Sequence, residues 1–556
     1  MKIKKLAAFC FVNLLCLNIF CQNKKVDFWS NVPDEELSVE LVNQMSDEEL
    51  LAQIFMFGWA GKEPSTLLNS WVVERGLGSV KVFGWNTEDL HDVAKSVKML
   101  QEEAQSRPLK IPLFVATDQE GGWIRHVKGT TSDTPGNMAI GSSGYPMDAY
   151  YSGYYINKEI ASLGINMNFA PTVDIYSNLE SSVIGPRSFS SNSQNVGILG
   201  EAFAKGSMAA GVIPTAKHFP GHGDTSLDSH GRLPQIMIDE NTFYNRELIP
   251  FKYLIDSDIP AIMSGHLSFP KIVPDGTPAS LSKKMLQEIL RGKLGYKGLI
   301  ITDDMMMNGA ISFAGSFQKG VTMAIEAGND IVLSSTTAGL NDSSWTVNLD
   351  RMKTDEAFKN RVKEAATHVI LAKLKYFKGK NPAPLYPDET KIEENIPDKE
   401  GQKFFLEQAC RSVSLQQCKC EFPYKPAAGE KILIASPYTN FVTECRKRYP
   451  DAASYYIAYD RSNETLYEAW NLTNVAQSYD TIIINVWDRH SASIARRFKG
   501  MGKKVIVISI MSPVYVLEDF DFADIILCGY SYSDYSFNAL FGALNGEYEI
   551  QGKLPL

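Results

Sequence analysis

The chain of 556 residues is 44 % hydrophobic and 21 % charged, ordinary values for a globular protein, and carries a formal charge of −9. Its length exceeds what a single hydrophobic core holds, so two or three domains are expected. A negative balance with no lysine or arginine cluster excludes a partner held through its phosphate backbone, and no nucleic acid is expected.

Residues 1–5 read Met-Lys-Ile-Lys-Lys, and an apolar run from Leu6 to Cys21 follows, broken by Asn13 and Asn18. A basic start before a short apolar segment reads as a signal peptide over residues 1–22. The run is short for a membrane span, and polar Gln22-Asn23-Lys24-Lys25 argues against a buried helix. Export to the periplasm or the outer surface is therefore expected. A lipid anchor enters only if Cys21 is modified, and Phe20 is a poor match to the small residue that lipoprotein processing prefers. Of eight cysteines, Cys10, Cys16 and Cys21 lie in this leader. Cys410, Cys418, Cys420, Cys445 and Cys528 remain, an odd number that leaves at least one without a partner in the chain.

Residues 30–378 alternate short apolar strands with amphipathic helices, the rhythm of a βαβ protein. Strands are expected at 78–83, 112–117, 165–169, 212–216, 261–264, 299–302 and 330–333, and helices at 87–103, 148–163, 195–210 and 283–292. Polar residues crowd the strands' C-terminal ends: Asp118, Asp174, Lys217 with His218, His266, and Asp303 with Asp304. In a (β/α)8 TIM-type barrel every strand delivers that end to one rim, where sites are built. A doubly wound sheet would gather them at a single switch point. Their spread over most strands favours the barrel. The Pro- and charge-rich stretch 379–402 reads as a linker. Over 403–556 the rhythm resumes at 431–435, 481–486, 504–508 and 525–528, which predicts a smaller α/β sandwich domain with a parallel sheet.

Three segments carry chemistry. In Ala116-Thr117-Asp118-Gln119-Glu120-Gly121-Gly122 a strand ends in a carboxylate, and paired glycines let backbone approach a ligand closely. Such an Asp can accept hydrogen bonds from two vicinal hydroxyls, and it can equally stabilise a turn. Residues 217–230 hold Lys217, His218, His222, Asp224, Asp228 and His230, with Pro220, Gly221 and Gly223 keeping the segment out of helix. Asp228-Ser229-His230 sets a carboxylate two residues from an imidazole, a spacing that lets it orient the ring for proton transfer. A zinc site on these histidines is disfavoured, because Pro220 and Gly221 prevent the helical spacing of a metalloprotease. In Ile300-Ile301-Thr302-Asp303-Asp304-Met305 an apolar strand ends in two aspartates. Asp304 suits the cap of the next helix. Asp303, aimed into a cleft opposite a histidine, suits nucleophilic attack at an acetal carbon.

These segments, together with Asn168–Asp174, Gly185-Pro186-Arg187-Ser188-Phe189 and Ala327-Gly328-Asn329-Asp330, resemble glycoside hydrolase family 3, specifically its β-N-acetylglucosaminidase branch. The resemblance covers nearly the whole chain beyond the leader. It implies Asp303 as nucleophile, His230 as acid/base and Asp228 as the residue orienting it. Asp118, Arg187, Lys217 and His218 are implied to hold the sugar before the cleaved bond. No metal or cofactor is implied, and the expected partner is a carbohydrate with terminal N-acetylglucosamine, from peptidoglycan fragments or chitooligosaccharides. The implied reaction is a retaining, exo-acting β-N-acetylhexosaminidase; a phosphorylase, a β-glucosidase and a sugar-binding protein are the alternatives. One departure stands out. The family follows Gly-Gly with an arginine and, three residues on, a second arginine; here Trp123 and His126 occupy those places.

Overall fold

Leu299–Thr302 is buried along its whole length and consists of Leu, Ile, Ile and Thr, as a parallel strand covered on both faces requires. Seven similar runs join it. The structure, a computed structural model, describes residues 26–458 and 465–556, so the expected leader and Cys21 lie outside the described residues. In chain order the strands of the first domain are β1 (Phe55–Gly58), β2 (Ser79–Lys81), β3 (Phe114–Thr117), β4 (Gln119–Gly121), β5 (Ile124–Arg125), β6 (Met167–Asn168), β7 (Ile213–Phe219), β8 (Ala261–Ser264), β9 (Leu299–Thr302) and β10 (Val332–Ser334). Eight of them form one sheet in the order β10-β1-β2-β3-β6-β7-β8-β9. Every pairing in it is parallel. A bridge between Ile301 and Ile331 brings its two ends together, giving the α/β barrel. Strands β4 and β5 form a small antiparallel hairpin just beyond β3.

The seven expected barrel strands are present, and the eighth is β1. It follows helix Asp47–Gln53 at once and is buried on both faces, so no alternation of apolar and polar residues separates it from the helix. Strand β7 runs three residues further than 212–216, carrying Lys217 and His218 on the strand itself.

Beyond the barrel the chain lies along its base, where the Ala383 N–H donates to the Gly211 carbonyl at 3.2 Å and Ile392 and Ile396 join the barrel core. After helix Lys399–Ser412 come β11 (Ser414–Cys418), β12 (Ile432–Ser436), β13 (Ala453–Tyr456), β14 (Thr481–Val486), β15 (Lys504–Ser509) and β16 (Ile525–Cys528). Their order is β11-β16-β15-β14-β12-β13. The expected all-parallel sheet needs one correction: β11 pairs antiparallel with β16. Both β11 and β13 are edge strands with mixed burial, which is why their polar Ser-Leu-Gln-Gln-Cys and Ala-Ser-Tyr-Tyr sequences escape detection. All five described cysteines are free.

The two domains share a buried interface. Met138, Ala139 and Tyr176 of the first lie in the core of the second. Asp148 receives the Arg411 guanidinium at 2.6 Å, and Tyr176 Oη lies 3.1 Å from Ser512 Oγ.

Candidate active site

The rim of the barrel gathers charge that no isolated strand could bury. Asp118, directly after β3, is reached on Oδ1 by Lys217 Nζ of β7 at 2.5 Å and on Oδ2 by Lys81 Nζ of β2 at 2.6 Å. Glu120 on β4 takes the same Lys217 at 2.7 Å and a two-pronged guanidinium from Arg187, at 2.9 Å to Nε and 2.7 Å to Nη2. Three cations thus enclose two carboxylates. Buried charge is tolerated only with such pairing. Burial would raise the Asp118 carboxyl, but the ammonium groups of Lys217 and Lys81 outweigh it and hold it well below the usual carboxylate range. Glu120 follows the same balance, with Arg187 and Lys217 bringing it to about 2. Burial alone would lower Arg187 and Lys217; the two carboxylates hold both above their ordinary values.

Beside this cluster, Asp174 organises two histidines. Its Oδ2 lies 2.7 Å from His218 Nδ1, and its Oδ1 accepts the His222 N–H at 2.7 Å. Against the effect of burial, His218 brings Asp174 down to about 2. An ionised carboxylate there places the proton on His218 Nδ1 and leaves Nε2 as the ring's other working nitrogen. His222 is deeply buried, and burial takes it down to about 4.

Asp303 follows β9. Its N–H donates to the Ser264 carbonyl at 2.9 Å, and its Oδ1 accepts the Asp304 N–H at 2.8 Å. Burial works to raise its carboxyl, while the nearby imidazoles of His218 and His266 draw it below the ordinary value. Asp304 does not cap the next helix as expected. Helix Asn308–Ala314 starts after Met307, and the Asp304 carboxylate accepts from Met306 N and Ser335 N, each at 3.0 Å. It fastens a turn instead, because three residues separate it from the first helical turn. His266 supports that turn, its Nε2 donating to the Asp304 carbonyl at 3.0 Å.

Asp228 and His230 stand apart from the floor. His230 Nδ1 lies 2.7 Å from Asp228 Oδ1, and the His230 N–H donates to the same oxygen at 2.9 Å. The pair sits on the outer rim, with 73 % of the His230 side chain exposed. Their loop is fastened elsewhere: Arg246 pairs with Asp224, and the Gly309 N–H donates to the Ser229 carbonyl at 3.0 Å. Against the effect of burial, the His230 N–H and ring lower the Asp228 carboxyl.

Of the residues expected from the sequence, Asp118, Arg187, Lys217, His218 and Asp303 converge on the floor, while Asp228 and His230 overhang it as a pair. Sequence reasoning missed Lys81 and Glu120. The signal for Lys81 was a lysine set between Val80 and Val82 in a short buried strand; Glu120 had none beyond its place two residues after Asp118.

A family model described as the glycosyl hydrolase family 3 N terminal domain matches residues 43–372. "Beta-hexosaminidase A" of Pseudoalteromonas piscicida is 36 % identical over 319 residues, covering 52 % of this chain and 53 % of that protein. The chain thus spans about half the length of that relative. "Beta-hexosaminidase" of Tolumonas auensis is 35 % identical over 260 residues, covering 46 % of this chain and 75 % of its own length. Among solved structures, a glycoside hydrolase family 3 β-N-acetylglucosaminidase from Paenibacillus sp. str. FPU-7 superposes with a TM-score of 0.82 at 26 % identity. That similarity covers 92 % of this chain and 98 % of the other, so it includes both domains.

Proposed function

The chain belongs to glycosyl hydrolase family 3, and we propose that it is an exo-acting, retaining β-N-acetylhexosaminidase releasing terminal β-linked N-acetylglucosamine. The observation that carries this reading is Asp303, a carboxylate held below its ordinary pKa at a strand tip, beside a floor of paired charges. An ionised carboxylate there is a nucleophile for the anomeric carbon.

In the first step an Asp303 oxygen forms a bond to that carbon as the glycosidic bond breaks. The leaving oxygen takes its proton from the His230 imidazolium. In the second step neutral His230 removes a proton from water, whose oxygen displaces Asp303 and frees the sugar. Asp228 keeps the His230 ring in one orientation through both steps. Asp118, Lys217, Arg187 and His218 hold the sugar's hydroxyls. Peptidoglycan fragments and chitooligosaccharides present the required terminal residue, and the signal-like leader suits their periplasmic or outer-surface location.

The test is release of para-nitrophenol from the β-glycosides of N-acetylglucosamine and glucose, with and without phosphate, by wild type and Asp303→Ala. Preferential release from the N-acetylglucosamine compound, lost in the variant, is the expected result. Acceleration by phosphate would reassign the protein as a phosphorylase, and preference for glucose as a β-glucosidase. Tight binding of the sugar without release would leave only a sugar-binding protein.

A further inference from the structure

The turn after Gly121-Gly122 supplies no guanidinium to Asp118. Trp123 faces outward, 38 % exposed, and Arg125 donates away from the site to the Thr131 carbonyl at 2.5 Å. His126 comes nearer, with Nδ1 3.6 Å from Asp118 Oδ2, beyond a hydrogen bond. Burial takes its pKa to about 4, so at neutral pH it carries no charge.

The cation opposite Oδ2 comes from a different strand. Lys81 Nζ lies 2.6 Å from that oxygen, with only 7 % of its side chain exposed. The ammonium sits over the Phe83 ring at 4.1 Å and the Phe169 ring at 5.1 Å, two faces that favour a cation. Its strand neighbours Val80 and Val82 point the other way into the apolar core, as the alternation of a strand demands.

We propose that Lys81 is a positioning residue, which orients the Asp118 carboxylate toward the sugar hydroxyls in place of an arginine from the Gly121-Gly122 turn. This rests on Asp118 being a sugar ligand. Each carboxylate oxygen has two lone pairs. With Lys217 on one oxygen and Lys81 on the other, each keeps one lone pair for a hydroxyl. A guanidinium would span both oxygens in a flat, two-pronged contact. Two point-like ammonium groups instead hold the carboxylate from opposite sides.

The test compares wild type, Lys81→Met, Lys81→Arg and the double variant Lys81→Met/His126→Arg. It uses turnover of para-nitrophenyl N-acetyl-β-glucosaminide, calorimetric binding of N-acetylglucosamine, and thermal unfolding. Methionine keeps the volume between the two rings, so folding is expected to survive. For Lys81→Met we expect kcat/KM and sugar affinity to fall together, on the order of 10- to 100-fold. Arginine at 126 should return most of that loss, and Lys81→Arg should lie between. A Lys81→Met variant within about twofold of wild type would overturn the proposal. So would a loss that arginine does not restore and that accompanies a lowered unfolding temperature, since Lys81 would then be only structural. If wild type binds the sugar without turnover, the hydrolase reading falls and the affinity ratios still decide the role of Lys81. If wild type neither binds nor turns over the sugar, both fall.

Discussion

Asp174 holds His218 twice, its Oδ2 2.7 Å from the ring Nδ1 and its Oδ1 3.2 Å from the backbone N–H. One carboxylate therefore fixes both the ring's tautomer and the course of the chain where it leaves β7 for the loop carrying Asp228 and His230. Asp174→Asn keeps the shape but removes the charge that favours a proton on Nδ1. We expect kcat/KM to fall on the order of 100-fold, the size of a small misplacement at a reacting centre, with little change in unfolding temperature. Steady-state kinetics with the N-acetylglucosamine substrate would reveal it; wild-type rates would deny His218 a working role.

Glu120→Gln tests the charge cluster beneath it. The neutral amide would leave Arg187 and Lys217 sharing the single carboxylate of Asp118 with Lys81 in a water-poor site. Removing one partner of a buried pair costs about 3–5 kcal/mol, so denaturant unfolding should shift by that order. Sugar affinity should weaken as well, because Arg187 keeps at most one of its two contacts to residue 120 and loses the charge it was paired with. An unchanged midpoint would mean that water already compensates these charges.

Gly223 sits where no side chain fits. A β-carbon there would stand 1.5 Å from the Ile175 carbonyl oxygen. Gly223→Ala must push the loop carrying Asp228 and His230 away from its seat, at a cost of about 1–3 kcal/mol. If the displaced groups act on the leaving oxygen, as proposed, turnover should fall more than sugar binding. Equal losses in kcat and affinity would place the loop's function in binding.

Stability should depend on pH in two directions. Asp174 and Glu120 drop to about 2 from ordinary values of 3.8 and 4.5. Depressed folded values mean that the unfolded chain takes up more protons below about pH 5. Their contribution is complete above their unfolded values and is lost as pH falls toward 2. Glu247 has the opposite sign: burial pushes it up to about 7 despite Arg246, so its contribution is present below its ordinary 4.5 and is lost as pH rises through 7. Scanning calorimetry from acid to mildly alkaline pH should therefore show a maximal unfolding temperature at about pH 5, falling on the acid side and again as pH rises through 7. Glu247→Gln should flatten the alkaline side, and a wild-type optimum well above pH 7 would contradict the sign for Glu247.

Strand ends were the most legible part of the site. Asp118 and Asp303 each follow the last residue of a buried strand, so apolar runs such as Leu299–Thr302 reveal both strand and carboxylate. The pairing of Asp228 with His230 was also legible, since only Ser229 separates them. Its exposed seat was not, because that depends on where Gly223 and Ser229 meet distant backbone. Lys81 and Glu120 stayed hidden for a similar reason. Lys217 and Asp118 are separated by 99 positions, and no local pattern records which lysine from which strand will face which carboxylate once the barrel closes. Strand β1 was missed because it continues the apolar end of helix Asp47–Gln53 with only Ile54 between, so no turn marks where the strand begins.

The helix Asn137–Ser143 joins the charged floor of the barrel to the second domain. Asn137 Nδ2 donates to the Arg187 carbonyl at 2.7 Å, while Met138 and Ala139 on the same helix are sunk in the other domain's core. Tyr176 is committed in the same way. An ancestor or an engineered fragment reduced to the barrel would turn these apolar side chains out to water and loosen the backbone under Arg187. Losing the C-terminal domain is therefore not a single evolutionary step, because Met138, Ala139 and Tyr176 would be turned out to water together.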